Sequence, residues 1–383
     1  MGAVRRLSVA LVATILLLTA CSGSPSSSPT TAATAGGSAG ASGGGTNPPP
    51  DSASVQEKLD WLASSGLSGQ ARTDFLVEKA AAAGPIVMYG SQDESILDQW
   101  QSALSSTYPD LDIQILRLQD AAERMQAESQ SGKPVTSIYD STPADTVILK
   151  EAGALAKYVS PEAANFDVSG GFVDPDGYWT ASNAAPMIAA FNTTLLTADK
   201  VPTTLEQLAD PSFDVPFGRT SIGGRWVAAI KQYYGDDKAM QILQGIAAHN
   251  PTIFESNSAL RAAVSSGQIP LAIDTQYGGI VVEQSKGAPD QIATITPLFS
   301  DTGYTVIPND APNPYGGALL TDWVLSKDGG QKYLVGNRLG PRSDMDYGLD
   351  NLEGTDDMIA YGPALLTDLA DDDNTFQDLF IRK

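Results

Sequence analysis

Residues 84–95 read Gly84-Pro85-Ile86-Val87-Met88-Tyr89-Gly90-Ser91-Gln92-Asp93-Glu94-Ser95. The Gly-Pro pair stops a helix, which an apolar stripe at helical spacing predicts over residues 71–83. The apolar run that follows has the length of a buried strand. After a polar loop, residues 94–107 carry a second apolar stripe at helical spacing. The stretch therefore predicts a helix, a buried strand, a polar loop and another helix in succession.

Alternating strand and helix patterns continue after this stretch. The next predicted elements are a strand over residues 112–117, a helix through Ser129 whose N-terminal cap is Asp120 with Glu123 three residues on, a strand opening at Ile138 and a helix from Pro143 to Gly153. The second half adds a capping box at Thr203 and Glu206, helices near 225–234, 238–248 and 257–266, and strands near 187–191, 269–274 and 291–296. Repeated strand–helix units predict an α/β fold, with a parallel-rich sheet covered on both faces.

The N-terminus has the composition of an export signal. Arg5 and Arg6 precede an apolar run that is too short for a comfortable membrane span, and Leu18-Thr19-Ala20-Cys21 closes it. This pattern resembles the bacterial lipobox. It predicts a signal peptide over residues 1–20 and a diacylglycerol thioether on Cys21. An ordinary secretory peptide with an incidental cysteine is the alternative.

A tether and a long folded region follow the leader. After Cys21, the remainder of segment 21–50 contains only Ser, Gly, Pro, Thr, Ala and one Asn, so it cannot bury enough apolar surface to order. The chain from Asp51 onward is longer than one hydrophobic core usually serves, which predicts two lobes. Cys21 is the only cysteine, so the chain can form no intramolecular disulfide.

Composition excludes several classes of function. The formal net charge of −22 repels nucleic acid and anionic lipid headgroups, so we expect no nucleic-acid partner. The single histidine, His249, ends a predicted helix and is interpreted as a cap rather than a base. No nucleophile elbow, zinc-protease or phosphate-loop motif is present in the sequence. With 45 acidic residues a pair of carboxylates is easily found by chance, so a secreted carboxylate-based hydrolase stays open as an alternative.

Several segments stand in an order that is typical of one family. They are residues 84–95, Leu149-Lys150-Glu151-Ala152-Gly153-Ala154-Leu155, Tyr158 with Ser160-Pro161-Glu162, Gly177-Tyr178-Trp179, Phe191-Asn192-Thr193, residues 205–211, Gly267-Gln268-Ile269-Pro270-Leu271 and Lys286-Gly287-Ala288-Pro289. Together they resemble the bacterial extracellular solute-binding proteins of ABC importers, in the iron(III)-type cluster of the type 2 periplasmic-binding fold. The resemblance covers about residues 72 to 340. The acidic tail after Ser343 departs from it.

The resemblance implies a two-lobed α/β protein whose lobes are joined by hinge strands around a ligand cleft. Lobe 1 would contain residues 51–185 plus about 298–383, and lobe 2 about 186–297. Such a protein captures a small solute and hands it to an ABC permease, without bond chemistry or a cofactor. We therefore expect a monomer that is anchored by the Cys21 lipid on the extracytoplasmic face of the cell membrane.

Ligands of such folds bind at the carboxyl ends of strands and the N-termini of helices. The candidate ligand-binding residues are Ser91, Gln92, Ser141, Thr142, Ser221, Gly223, Gly224, Arg225 and Tyr277. Ser91, Ser141 and Thr142 could equally serve as helix caps. The glycines would expose backbone N–H groups and Arg225 would offer a bidentate donor, so this loop suits a small anion or an organic phosphate. Pairing of Arg219 and Arg225 with surface carboxylates is the alternative.

Ferric iron is the other ligand that the resemblance implies. Ferric binders of this type carry two adjacent tyrosines at the strand end that corresponds to residues 274–277, and here only Tyr277 is present. The adjacent pair Tyr233-Tyr234 closes a predicted helix and is interpreted as core. A trivalent ion needs several anionic oxygen donors, so we predict no metal site and keep ferric binding as an alternative.

Overall fold

The computed structural model describes residues 47–118, 120–166, 172–349, 352, 358–363 and 369–382. The predicted signal peptide, Cys21 and residues 22–46 of the predicted tether lie outside the described residues. In the part that is described, no helix is both long and apolar enough to cross a bilayer.

The described residues form twelve α-helices and eleven strands. In chain order they are α1 (Val55–Ser64), α2 (Gly69–Ala83), β1 (Ile86–Gly90), α3 (Glu94–Thr107), β2 (Ile113–Arg117), α4 (Ala121–Gln130), β3 (Ile138–Ser141), α5 (Pro143–Glu151), β4 (Leu155–Ala156), β5 (Thr180–Asn192), α6 (Leu205–Ala209), β6 (Phe217–Thr220), α7 (Gly224–Tyr234), α8 (Asp236–Ala248), β7 (Thr252–Phe254), α9 (Asn257–Ser265), β8 (Leu271–Gln276), α10 (Tyr277–Ser285), β9 (Asp290–Ala293), β10 (Phe299–Pro308), α11 (Pro314–Leu325), β11 (Ile359–Ala360) and α12 (Leu369–Phe380). The helices predicted from apolar periodicity are confirmed to within two residues. Asp120 does precede α4, but its side chain makes no capping bond.

The strands form one sheet with the order β2-β1-β3-β10-β5-β8-β6-β7. The three strands at each end run parallel to one another. The two central strands, β10 and β5, run antiparallel to each other and to their outer neighbours. The predicted parallel-rich α/β sheet is therefore confirmed, with an antiparallel centre that the sequence pattern did not indicate.

The two central strands join the halves of the molecule. Strand β10 pairs with β3 over Tyr304–Val306, and it pairs with β5 from Phe299 to Thr305. Strand β5 continues to β8, which it meets between Met187 and Phe191. Strand β10 thus borders one parallel group and β5 borders the other. Because they pair with each other, the two are the hinge strands of a two-lobed fold. We call the half with β1–β3 lobe 1 and the half with β6–β8 lobe 2.

Each lobe has its own apolar core. In lobe 1, α3 and α11 close over β1, and the fully buried Trp100 donates its indole N–H to the Gly330 carbonyl at 3.2 Å. In lobe 2, α7 and α8 bury Trp226 and Leu243 against Leu271 of β8. Burial of such side chains stabilises a fold by about 1.5 to 3 kcal/mol each. Two separate cores allow the lobes to move as rigid bodies about the hinge strands.

The helix α6 begins one residue later than the sequence predicts. Its N-cap is Thr204, whose hydroxyl accepts from Gln207 N at 3.1 Å, while Gln207 Oε1 accepts from Thr203 N at 2.8 Å. The predicted partner, Glu206, instead accepts from the Tyr234 hydroxyl at 2.7 Å. The capping-box prediction was wrong in register, because Thr204 is the N-cap and the side chain of Gln207 accepts from Thr203, the residue before that cap.

The C-terminal helix differs from its predicted place. The sequence-based division assigned residues 298–383 to lobe 1, but α12 packs against α7 and α8 of lobe 2. Phe376 and Phe380, one helical turn apart, share the apolar core of Trp226. Lobe 2 therefore includes the end of the described chain.

Candidate functional site

In lobe 1, the polar residues at the ends of β1 and β3 gather around Asp140. Its carboxylate is fully buried and accepts from Ser182 Oγ at 2.7 Å and from Gln92 Nε2 at 3.4 Å. The Ser91 backbone N–H donates to the Asp140 carbonyl at 3.0 Å, and the Ser91 hydroxyl lies 3.5 Å from the carboxylate. Burial raises the pKa of Asp140 to about 6, although the Ser182 and Gln92 bonds and the charge of Arg338 oppose the rise.

Ser91 and Gln92 lie where the sequence placed them, directly after β1. Gln92 is buried, and its backbone carbonyl accepts from Arg117 Nε at 3.0 Å. Ser91 is half-buried. Both side chains are therefore held by protein groups, and Ser91 is the more accessible of the two.

Ser141 and Thr142 hold the end of β3 in place. Ser141 is fully buried, donates to the Tyr304 carbonyl of β10 at 3.1 Å and lies 2.6 Å from the Thr146 hydroxyl. Thr142 caps α5, because its hydroxyl accepts from Asp145 N at 3.2 Å. The structure gives Ser141 a structural place between two strands rather than a surface that a solute could reach.

In lobe 2, the loop between β6 and α7 is built around Arg219. Its guanidinium is fully buried and donates from Nη2 to Asp274 Oδ2 at 2.9 Å. The group stacks between the rings of Trp226 and Phe376, 4.2 and 4.4 Å from their centroids. Its Nε and Nη1 atoms have no hydrogen-bond partner among the described residues. The sequence suggested for Arg219 either an anion loop or a surface carboxylate partner. The side chain of its carboxylate partner, Asp274, is instead buried, and the aromatic stacking was not predicted.

The two glycines at the start of α7 are covered. A side-chain carbon at Gly223 would lie 2.1 Å from the Phe376 ring, and one at Gly224 would lie 2.1 Å from Asp373 Oδ1. Ser221, which precedes them, is half-buried and donates its N–H to the Phe254 carbonyl at 2.8 Å. Helix α12 therefore packs closely against the start of α7, where the sequence predicted exposed N–H groups.

Arg225 is the most accessible cation of this loop, with 25% of its side chain exposed. It forms an ion pair with Asp301 of β10, and its guanidinium lies 5.9 Å from the centre of the Tyr361 ring. The interaction with Asp301 raises the pKa of Arg225, so the group stays cationic. Arg225 therefore places a positive charge against a hinge strand.

Asp274 and Tyr361 are site residues that the sequence did not single out. Asp274 lies at a register shift in the pairing of β8 with β5, and its φ of 53° is in the left-handed region that few residues adopt. Its carboxylate accepts from the Tyr361 hydroxyl at 2.9 Å as well as from Arg219. The unusual backbone turns the carboxylate toward both partners. No sequence motif marked this contact, since Tyr361 lies in the tail.

Tyr277 starts α10, directly after β8, as predicted. Its side chain is 5% exposed and packs in an apolar cluster with Leu260, Val264 and Ile280. The other tyrosines considered for iron, Tyr233 and Tyr234, form a T-shaped pair with ring centroids 4.7 Å apart. Tyr233 is 53% exposed, so the interpretation of that pair as core was wrong for Tyr233.

Among the described residues, no group of three or more His, Cys, Asp or Glu side chains could hold a metal ion. His249 is the C-cap residue of α8, as predicted, and its ring packs at 5.8 Å from Phe213. The strand ends described above offer arginines, hydroxyls and amides, which can bind an anion by hydrogen bonds, together with the buried carboxylates of Asp140 and Asp274.

Comparison with known families agrees with this architecture. Residues 148–284 match the family model of the bacterial extracellular solute-binding proteins. The chain is similar to these proteins. The resemblance predicted from the sequence is confirmed. No curated protein matches the chain.

Solved structures of such binding proteins share the fold. The iron-bound HitA from Pseudomonas aeruginosa has a TM-score of 0.65 and 18% identity, over 77% of this chain and 99% of that chain. AfuA from Actinobacillus pleuropneumoniae, with fructose-6-phosphate bound, has a TM-score of 0.60 and 17% identity, over 78% and 99%. A Trichodesmium protein in complex with iron and citrate has a TM-score of 0.62 and 13% identity, over 77% and 99%. At these identities the likeness confirms the two-lobed fold and leaves the ligand open.

Proposed function

We propose that this protein is a lipid-anchored, extracytoplasmic solute-binding protein that delivers a small anion or an organic phosphate to an ABC permease. The observation that carries the proposal is the placement of Arg219 at the end of β6 and of Arg225 in the first turn of α7, where Arg225 meets the hinge strand β10. A helix N-terminus and two guanidinium groups together favour an anionic ligand. The fructose-6-phosphate bound to AfuA is a ligand of this chemistry on the same fold.

Hinge closure would couple binding to delivery. Two cores joined by β5 and β10 can adopt an open and a closed arrangement, and a solute that contacts both lobes favours the closed one. Ser91 of lobe 1 and Arg225 of lobe 2 would contribute to opposite sides of the solute. The permease would then bind the closed form.

Ferric iron is the second candidate ligand, favoured by the iron in the HitA structure. On this chain the candidate donors at the end of β8 are Asp274, which already accepts two hydrogen bonds, and Tyr277, which is buried among apolar side chains. An organic anion therefore fits the described residues better than a trivalent ion does.

A thermal-shift panel tests the ligand class. Residues 51–383 would be heated with ferric iron, inorganic oxyanions and organic phosphates, and a solute that raises the melting temperature would be checked for chemical change. We expect an organic phosphate or another small anion to stabilise the protein and to be recovered intact. Conversion of the compound to a product would favour the hydrolase alternative, and stabilisation by ferric iron alone would favour the iron alternative.

Arg225→Met then tests the site with the solute that the panel identifies. Loss of a hydrogen bond to a charged group typically costs 1.5 to 3 kcal/mol, so we expect affinity to fall by at least about tenfold. Arg382→Met is the matched control, because Arg382 is 58% exposed and pairs only with Asp378 on the surface. Equal affinity of both variants for the solute would show that Arg225 does not belong to the binding site.

A further inference from the structure

The C-terminal helix α12 lies directly on the half-site that lobe 2 offers to a solute. Beyond the contact of Phe376 with Gly223, the ring of Phe376 is 1% exposed and stacks on Phe380 with centroids 4.9 Å apart. Asp372 of the same helix forms an ion pair with Lys231 of α7. The absence of side chains at the two glycines is what permits α12 to approach so closely.

The guanidinium of Arg219, beneath this helix, has nitrogen atoms without a hydrogen-bond partner among the described residues. Arg219 is fully buried, yet its Nε and Nη1 atoms have no partner among the described residues, while Asp274 satisfies only Nη2. Buried donors without acceptors are costly, so an acceptor that reached these two nitrogen atoms would be favoured. One face of the guanidinium is covered by Phe376 of α12. Movement of α12 would uncover that face.

The helix also supplies a negative charge where a bound anion would be favoured. Asp373 Oδ1 lies 2.1 Å from the position that a side-chain carbon of Gly224 would take, at the first turn of α7. The N-terminus of a helix stabilises a carboxylate or a phosphate there. The exposed Asp373 and the buried Phe376 therefore lie side by side against the first turn of α7.

We propose that α12 is an intrachain lid which competes with an anionic solute for the N-terminus of α7. The inference rests on the proposed function and adds its regulation. The solute site of lobe 2 is complete only after α12 has lifted, when Arg219 and the N–H groups of Gly223 and Gly224 become available. Affinity for the solute is then lowered by the cost of opening the lid.

A disulfide that holds α12 in place tests the lid directly. A side-chain carbon at Gly224 would lie 2.6 Å from Asp373 Cγ, so cysteines at both positions are within the reach of a disulfide. The full chain would carry Cys21→Ser, Gly224→Cys and Asp373→Cys, in mild detergent, with Cys21→Ser alone as the control. Inorganic phosphate would be titrated calorimetrically at constant ionic strength, before and after reduction with a phosphine.

We expect the oxidised triple variant to bind phosphate at least tenfold more weakly than the reduced form of the same protein. The control should give one affinity under both conditions. Equal affinity of the oxidised and reduced forms overturns the lid. Failure of the reduced form to bind phosphate also overturns the lid, because an unlocked α12 without Asp373 should leave the N-terminus of α7 open to an anion.

Hydrogen exchange keeps the inference testable if the triple variant does not fold. In the Cys21→Ser chain, phosphate should slow exchange of the amides of residues 224–227 and speed exchange of residues 369–380. Unchanged or parallel effects on the two segments contradict the lid. The proposed function has a separate test, because it fails when no solute of the thermal-shift panel binds. If a panel solute binds the oxidised and the reduced protein equally well, only the lid is rejected and the proposed function stands.

Discussion

Asp140 connects the ends of three strands through one side chain. It terminates the pairing of β3 with β1, and it accepts from Ser182 on β5 and from Gln92 after β1. Burial raises its pKa to about 6 against an ordinary value of 3.8. The carboxyl is therefore more easily protonated in the folded protein than in the unfolded chain.

We expect Asp140→Asn to stabilise the protein more at pH 8 than at pH 4.5. A carboxyl whose pKa is raised by folding opposes folding once it ionises, so the cost is absent below pH 3.8 and complete above about 6. A shift of about two pKa units corresponds to about 3 kcal/mol. Denaturant unfolding at the two pH values measures the difference, with the exposed Asp110→Asn as control. A difference from wild type that is the same at both pH values would contradict this assignment.

Tyr277 and Tyr233 are predicted to differ in their effect on stability. Tyr277 is 5% exposed and Tyr233 is 53% exposed, so removal of the two rings leaves very different cavities. Tyr277→Ala should lower the free energy of unfolding by about 3 kcal/mol. Tyr233→Ala should lower it by less than about 0.5 kcal/mol. Urea unfolding decides this, and Tyr277→Phe, which keeps the ring, should stay close to wild type; similar losses for both alanine variants would refute the packing role.

At the residue scale, the sequence predicted the positions of the site residues in the fold better than it predicted their hydrogen-bond partners. Ser91, Gln92, Ser141 and Thr142 do lie at the strand ends where they were predicted, because an apolar run followed by polar residues marks such an end. Their partners could not be predicted. Ser141 donates to Tyr304, which is 163 positions away, and only the central hinge strand brings the two together.

At the element scale, local signals decided what could be predicted. Helix α3 has the predicted bounds, since its apolar period is regular and Tyr108-Pro109 ends it. Strand β5 was predicted only over 187–191, although it spans Thr180–Asn192. Its first half contains mostly alanine, serine and asparagine, which have low strand propensity, and the neighbouring strands hold it in place. Helix α12 was not predicted, because its acidic sequence resembles a solvated face.

The helix α2 is fastened to α11 by a buried polar network. Arg72 donates to Asp322 at 2.9 Å and to the Tyr158 hydroxyl at 2.6 Å, and Ser160 donates to the same carboxylate at 2.7 Å. The Arg72 side chain is 8% exposed and that of Asp322 19%. Removal of one partner from such a network leaves the other groups buried and unpaired.

Arg72→Met should therefore lower the free energy of unfolding by about 3 kcal/mol. The exposed ion pair of Arg382 and Asp378 is the comparison, and Arg382→Met should change stability by less than about 0.5 kcal/mol. Chemical denaturation monitored by circular dichroism measures both. Equal stability of the two variants would show that the network does not fasten α2.

For the whole molecule, the proposed lipid anchor at Cys21 bears on where the protein works. We expect Cys21→Ser to release the protein from the membrane fraction and to leave its solute affinity unchanged, because a lipid anchor acts on location and lies far along the chain from the binding loops. Cell fractionation and binding assays on the same variant measure the two effects. Retention of the variant in the membrane fraction would refute the anchor.

The two-lobed arrangement could be predicted from length and from the order of family-like segments, but its details could not. Residues 298–383 were placed in one lobe, whereas β10 crosses the hinge and α12 joins lobe 2. A chain that crosses between lobes several times leaves no compositional mark at each crossing. The ligand is set by loop side chains that vary on a constant scaffold, so the fold alone does not name it.

Native mass spectrometry of residues 51–383 as purified, combined with elemental analysis, tests the central claim most directly. A receptor that captures a small anion should carry, in part of its population, one organic anion or oxyanion that is released unchanged on unfolding. The same anion should bind again when it is added back. Stoichiometric iron in place of an anion would contradict the proposed ligand class. A protein that is purified empty and binds no added solute would contradict the receptor function itself.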